Sequence, residues 1–563
     1  MLSNALRALM SGHNPVGFGA ADLIELALAL LLAGIALSGR RWIEPFVRRF
    51  APKTVWCMLL FAILPVSLRL LLLAHHPVPI PDVYDEFSHL LEADTLRHFR
   101  LANPPHPLSQ FFETFFVLED PTYSSIYPLG QGLALALGWT LFGLPWAGVL
   151  LASAAFCAVC YWMLRAWTSP AWSLAGGTLA VIEFGPLCAW TNSYWGGTLA
   201  AAAGCLVFGA LPRLRASGRA RDAVILGAGL GLHLLIRQFE SIFLLLAVIL
   251  FLLPSLRVQW KLVALAALVA LPAVLLTLIQ NKAVTRNWMT TPEMLSQYQY
   301  GVPAALTFQN PAVPHREMTP QQAMDYKMQL SFHQGPETIG SYFLRLEYRV
   351  RFYRFFFLPA LYIAAAAFLA KIREIRFAWV AFTLAIFALG TNFFPAFQTH
   401  YIAAVTGLFI LACITGLQEI ARLRIRGTPA GQEAALLILV LCGAQFLFWY
   451  GVHAFEDSEF STVARSYETW NFINHQNPTR RSLVAEELDR MPGPLLVFVR
   501  YLPQHIFQDE WVYNRASIDD SRIVWARDLG AEQNEKLLRY YPNRRALLLE
   551  PDMRPPQLSE YKP

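Results

Sequence analysis

The chain has 563 residues, 55% hydrophobic and 15% charged, with a mean hydropathy of +0.39. A water-covered globule carries about 25% charged residues, so this composition excludes an ordinary soluble domain and indicates a polytopic membrane protein. The net charge of +6 comes from short arginine clusters between apolar runs, a topology signal and not a nucleic-acid footprint.

Apolar runs near 19–38 and 55–74 approach the roughly 20 residues needed to span a bilayer. The first is followed by "SGRRW" without a small-residue cleavage site, so it reads as a retained helix. A polar loop follows, extending to about 145 with a short, glycine-rich run at 128–144 that reads as a helix on or dipping into the outer face. Further runs lie near 146–166, 171–190, 195–212, 222–236, 239–253 and 260–280. A second loop spans about 282–352, then come runs near 355–371, 376–394, 401–419 and 433–451. All seven cysteines sit in or beside these runs, as small buried hydrophobes and not a disulfide framework.

"RRWIEPFVRRFAPK", "RLRASGRAR", "RVQWK", "KIREIR" and "RLRIR" share the cytoplasmic side if 128–144 does not cross. That gives about twelve spans, with both long loops and the tail outside. Residues 1–454 form the transmembrane domain. In 455–563, "GPLLVFVRY", "SRIVWARD" and "RALLLEPD" read as short strands with the helices "TRRSLVAEELDRM" and "GAEQNEKLLRYY" between them, a small α/β domain with parallel strands.

The outer islands carry site chemistry: Asp82, Asp85 and Glu86 in "DVYDEF", then "TNSYWGG", "IRQFESI", "QNKAVTRNW" and "FPAFQTHY". A carboxylate at the outer surface serves as a general base toward a hydroxyl, with burial or a neighbouring carboxylate raising its pKa. Asp85 and Glu86 are adjacent and point apart on a helix, so one is the base and the other orients the acceptor or holds a metal. Solvation of a juxtamembrane helix is the competing role for these acids. Arg237 suits a phosphate through its planar guanidinium, or a salt bridge to Glu240 three residues on. Lys282 reaches the same phosphate or snorkels at a helix end, as does Arg286. Tyr194 and Trp195 stack on a sugar or belong to the interfacial aromatic belt; Asn192 bonds a sugar hydroxyl or caps a helix. His400 and Tyr401 open an outer helix, and Glu183 is an ionisable group inside a span.

"DVYDEF" after an apolar span, followed by "PTYSSIYPLGQGLALALG", resembles the GT-C fold membrane glycosyltransferases. The resemblance is to the bacterial branch related to protein O-mannosyltransferases, aminoarabinose transferases and Rgt-type lipopolysaccharide glycosyltransferases. "NSYWGGTLAA", "IRQFES" and "THYIAAVTG" are also similar to outer-end motifs of that branch, and the likeness spans roughly residues 55 to 420. The chain departs at Ile126-Tyr127-Pro128-Leu129, where a basic residue before Tyr-Pro-Pro is usual, and at Gln238, where proline is usual.

The resemblance implies inverting sugar transfer from a polyprenyl-phosphate donor to a hydroxyl of a glycan, lipid or protein. It places Asp85 as base, assisted by Asp82 and Glu86. On their chemistry and placement in the outer islands, Arg237, Glu240, Tyr127, Asn192, Tyr194, Trp195, Lys282, His400 and Tyr401 are the candidate substrate contacts. No cofactor is implied, and a divalent metal, if used, would take Asp85 and Glu86. The implied location is the bacterial inner membrane, with the site and the α/β domain on the periplasmic or extracellular side. A transporter or flippase of lipid-linked saccharides, a polysaccharide polymerase or ligase, and a non-catalytic scaffold are the alternatives. The first needs a symmetric repeat, which the sequence lacks.

Overall fold

A computed structural model describes residues 20–333, 336–424, 426–455 and 479–562. Helices α1 (Ala20–Ser38), α2 (Arg40–Phe50) and α3 (Thr54–Leu71) lead to the first long loop. That loop holds α4 (Tyr84–Arg97) and the two-residue strands β1 (Val117–Leu118) and β2 (Ser124–Ser125). Next come α5 (Leu129–Phe142), α6 (Pro145–Leu164), α7 (Pro170–Phe184), α8 (Thr198–Ser217), α9 (Ala220–Ile236), α10 (Gln238–Leu252) and α11 (Leu256–Thr285). The second loop is helical: α12 (Pro292–Tyr300), α13 (Pro320–Phe332) and α14 (Ile339–Val350). Then α15 (Leu361–Phe368), α16 (Ile375–Thr391), α17 (Thr406–Ala421) and α18 (Ala430–Phe455) complete the bundle.

Among the described residues, six helices are long and apolar enough to cross a membrane, or eight if each of two bent pairs forms one span. This differs from the twelve expected, because many apolar runs do not fold as unbroken helices. The run 171–190 stops being helical at Phe184, where Gly185-Pro186 breaks the hydrogen-bond ladder. The stretch before 371 bends by 116° between Phe356 and Leu361, across Pro359. Runs at 129–142, 238–252 and 375–391 give shorter apolar helices.

Small residues let the helices close up. A Cβ on Gly416 of α17 would lie 1.8 Å from the Ala364 carbonyl oxygen of α15, and one on Gly138 of α5 would lie 2.0 Å from the Gly148 nitrogen of α6. Such backbone proximity is how helices pack where apolar surface gives no preference for a neighbour over lipid.

The 479–562 segment begins with α19 (Thr479–Arg490) and β3 (Leu495–Val499), followed by β4 (Ile523–Arg527), α20 (Ala531–Tyr540), β5 (Arg545–Glu550) and β6 (Gln557–Glu560). The sheet order is β4-β3-β5-β6; β3 runs parallel to β4 and β5, and β6 is antiparallel to β5. Its apolar face packs on Phe111, Phe112 and Tyr123 of the first loop and on Leu91 of α4. Polar ties fix that docking: Ala516 N–H donates to Asp94 Oδ2 at 3.0 Å, and Arg527 Nε donates to the Glu113 carbonyl at 2.6 Å.

Candidate functional site

The site begins where α3 ends. Arg69, in its last turn, is buried, and its guanidinium donates to the carbonyls of His76 and Pro77 at 2.9 and 3.0 Å and to Asn192 Oδ1 at 2.6 Å. One side chain therefore joins the start of the first loop to the "TNSYWGG" turn. Asn192 completes the tie through Nδ2, which donates to the carbonyls of Pro186 and Cys188. Its amide is fully engaged inside the protein.

Glu86 performs the second tie. Its Oε2 accepts the backbone N–H groups of Asp82 (2.8 Å) and Val83 (3.2 Å), satisfying donors at the start of α4. Its Oε1 accepts the N–H of Tyr194 at 2.7 Å. Tyr194 is buried, and its hydroxyl donates to the Pro79 carbonyl at 2.8 Å. Burial outweighs these hydrogen bonds and pushes the Glu86 carboxyl up to about 7, with Asp82 adding to the rise. Glu86, Asn192 and Tyr194 thus hold the loops in register.

With Glu86 directed inward, Asp85, the preceding residue of the same turn, points in a different direction. The Tyr127 hydroxyl donates to Asp85 Oδ1. Burial raises the Asp85 pKa above the usual carboxylate range, while Tyr127, the Trp195 indole N–H and the Arg237 guanidinium draw it back down. Gln280 of α11 fixes Tyr127 by donating to its carbonyl at 2.9 Å. The Tyr127 ring stacks on His89, one helical turn beyond Asp85, with centroids 4.2 Å apart. Burial first, and then Arg237, lower the His89 pKa to about 3, so that ring is neutral near pH 7.

Arg237 lies at a break between α9 and α10, where its φ of −142° and ψ of 90° interrupt the helical path. Its Nε and one terminal nitrogen donate to Glu240 Oε1 at 3.0 and 2.7 Å, and its guanidinium lies 4.4 Å from the centre of the Tyr401 ring. The salt bridge expected at this spacing is present. The Arg237 charge works against the burial that raises the carboxyls of Asp85 and Glu293. His400 packs its ring 5.5 Å from that of Trp195. The turn after Trp195 uses Gly196 and Gly197 at φ 88° and 122°, and the Trp190 ring leaves no room for a Cβ at Gly197.

Asp85, Tyr127, Trp195, Arg237, Glu240, His400 and Tyr401 are therefore brought together, while Asp82 lies beside Glu86. Lys282 is exposed, and its Nζ donates to the Arg286 carbonyl at 2.7 Å, the arrangement of a helix-end residue. Three acids or bases of the neighbourhood were not singled out from sequence. His89 carried a signal, the i, i+4 spacing from Asp85. Glu293 of α12 and Asp325 of α13 carried none, because only the folded second loop brings them near. Asp325 is buried, with its carboxyl raised to about 7, and it accepts Gln329 Nε2 at 2.9 Å.

Asp85 and Glu86 do not form a joint metal chelate, since both Glu86 oxygens accept backbone N–H groups. No group of three His, Cys, Asp or Glu side chains among the described residues is arranged to hold an ion. What the arrangement offers is a carboxyl of raised pKa, a cation held by a buried acid, and aromatic rings beside each.

No family model matches the chain, and no curated protein matches it. Among solved structures it is similar to ArnT from Cupriavidus metallidurans in the apo state, at 12% identity and a TM-score of 0.48, over 89% of this chain and 93% of that one. The same protein bound to undecaprenyl phosphate matches at 11% identity and 0.48, over 87% and 92%. The Archaeoglobus fulgidus oligosaccharyltransferase in the apo form matches at 12% identity and 0.46, over 82% of this chain. This chain spans 63% of the length of that enzyme. At such identities and TM-scores the likeness is one of outline, and no residue role is taken from it.

Proposed function

We propose that the chain is a membrane glycosyltransferase that moves a sugar from a polyprenyl-phosphate donor to a hydroxyl acceptor at the outer face of a bacterial inner membrane. The observation that carries this reading is the shared neighbourhood of Asp85 and Arg237, a carboxyl and a cation beside half-buried aromatic rings. The sequence resemblance described above supports the same chemistry.

In the proposed step the acceptor hydroxyl attacks the anomeric carbon, and Asp85 takes its proton. The bond from that carbon to the phosphate oxygen breaks, and the electron pair leaves on the lipid phosphate. Arg237 offsets the charge that develops there, the larger protein contribution because the phosphate is already a good leaving group. One displacement inverts the anomeric centre. Glu240, only 2% exposed on its side chain, keeps the guanidinium aimed and charged. Tyr127 holds the Asp85 carboxylate in place. Tyr401, Trp195 and His400 wall the sugar.

The test is transfer by the purified protein in lipid, supplied with polyprenyl-phosphate donors carrying different labelled sugars and a mixed cell-envelope acceptor fraction. The expected result is a product whose new linkage, read by NMR, has the opposite anomeric configuration to the donor. A product of retained configuration overturns the displacement step, and failure with all donors overturns the transferase reading.

A further inference from the structure

Helix α4 has two working faces. Asp85 and His89 lie on one; Phe87, Leu90, Asp94 and Arg97 lie on the other, as the 3.6-residue period requires. The second face lines a cleft of about 740 Å³ whose opposite wall is the C-terminal sheet unit. That volume is within the roughly 300–1,000 Å³ of small-molecule sites.

The lining carries three arginines and three aspartates, and two of the arginines, Arg97 and Arg515, meet at one ring. The Arg97 guanidinium lies 4.4 Å from the centre of the Trp139 ring, and that of Arg515 lies 5.6 Å from it. Only Arg97 has a carboxylate partner, Asp94, at 3.3 Å. Asp94 is itself buried and accepts the Ala516 N–H through its other oxygen. Arg515 is exposed and makes no ion pair among the described residues. Two like charges drawn to one indole, with a single carboxylate between them, leave a charge for an outside anion to match. Further along, Arg522 is matched by Asp489 at 2.5 Å, and the exposed Asp520 offers an acceptor for hydroxyl groups. Trp525 is half-buried and contributes an aromatic wall.

The cleft also adjoins the site already described. Tyr513 stacks on Phe87, with centroids 4.2 Å apart and planes 3° from parallel, and both rings line the cleft. The cleft therefore reaches the first turn of α4 at Phe87, in the turn that also carries Asp85.

We propose that this cleft binds a saccharide bearing a carboxylate or phosphate group, with the anion held between Arg97 and Arg515. Resting on the transferase reading, this ligand is the remote part of the acceptor, whose free hydroxyl reaches Asp85 past Tyr513. The acceptor is then an acidic glycan or a sugar-phosphate headgroup.

The test is calorimetric titration of the whole protein in lipid nanodiscs with galacturonate trimer, glucose 6-phosphate, maltotriose and inorganic phosphate. At least one of the two anionic sugars should saturate, with maltotriose tenfold or more weaker. Arg515→Ala, an exposed change, should weaken the anionic sugar at least tenfold while melting at the parental temperature. Asp85→Asn should bind it as the parent does. Failure of both anionic sugars to saturate, equal binding of maltotriose, equal binding of inorganic phosphate, or parental affinity in Arg515→Ala each overturns the proposal. Saturation that Arg515 governs, in a protein that transfers no sugar, keeps the cleft and removes only its link to transfer.

Discussion

The Tyr127 hydroxyl donates a hydrogen bond to Oδ1 of Asp85, and the same tyrosine ring stacks on His89. The carboxylate is thus oriented from one side by a phenol that is itself fixed by Gln280. Trp195 and Arg237 also favour its charged form. A base aimed in this way can meet a substrate without first reorganising.

Tyr127→Phe should move the acidic limb of the pH–rate profile upward. Asp85 acts ionised, so activity is lost as pH falls through its pKa, which burial already raises. The Tyr127 bond favours the ionised form, and a hydrogen bond to a charged group contributes about 1.5–3 kcal/mol. Its removal corresponds to roughly one to two pH units. A profile in transfer assays that stays put, or shifts downward, contradicts the assignment.

Arg237→Lys should keep the fold and lose rate. The ammonium preserves a charge for Glu240, yet it cannot reproduce the planar fork that meets a phosphate. We expect a loss in kcat/KM on the order of 10²-fold, toward the lower end for removing a donor that stabilises developing charge. Steady-state kinetics with a lipid-linked donor, read beside a melting curve, separates this from unfolding.

Glu86→Gln should act on stability. An amide in that place turns a donor toward the N–H groups of Asp82, Val83 or Tyr194, and leaving a buried donor unsatisfied costs about 1–3 kcal/mol. The pH dependence has a definite sign. A carboxyl raised to about 7 in the folded chain contributes stability that is full below its unfolded value and is lost as pH rises through about 7. Melting temperature against pH should lose that component in the variant.

Asn192→Ala and Lys282→Ala form a contrasting pair. The first leaves buried Arg69 without its 2.6 Å partner and should lower the melting temperature, by about 1–3 kcal/mol of stability, while transfer per folded molecule is retained. The second removes an exposed ammonium that meets the Arg286 carbonyl, and should leave the melting temperature unchanged and transfer within about twofold of the parent. A specific rise in acceptor KM for Asn192→Ala would restore the sugar-binding role suggested by its sequence setting.

Much of the local structure is legible in the sequence because it depends on local pattern. The three apolar segments of the tail form β3, β4 and β5, and the two polar-apolar stretches form α19 and α20, although α19 precedes β3 and only α20 lies between strands. The polar islands are visible because carboxylates, amides and aromatics interrupt apolar runs. The number of crossings is less legible, since hydropathy does not reveal that Gly185-Pro186 ends α7 or that the chain turns by 116° before Leu361. Adjacent residues with the same chemistry are harder still. Asp85 and Glu86 are interchangeable in composition, and only the position of Tyr194 N–H, 108 residues away in the chain, gives Glu86 its inward partner.

The central claim is that Asp85 removes the acceptor proton in a sugar transfer assisted by Arg237. It is tested most directly by single-turnover transfer with Asp85→Asn against the parent, both melting alike and both binding the lipid-linked donor alike. The account predicts a loss of 10²-fold or more in the transfer step, the lower part of the range for a positioned base. Transfer by Asp85→Asn at the parental rate contradicts it.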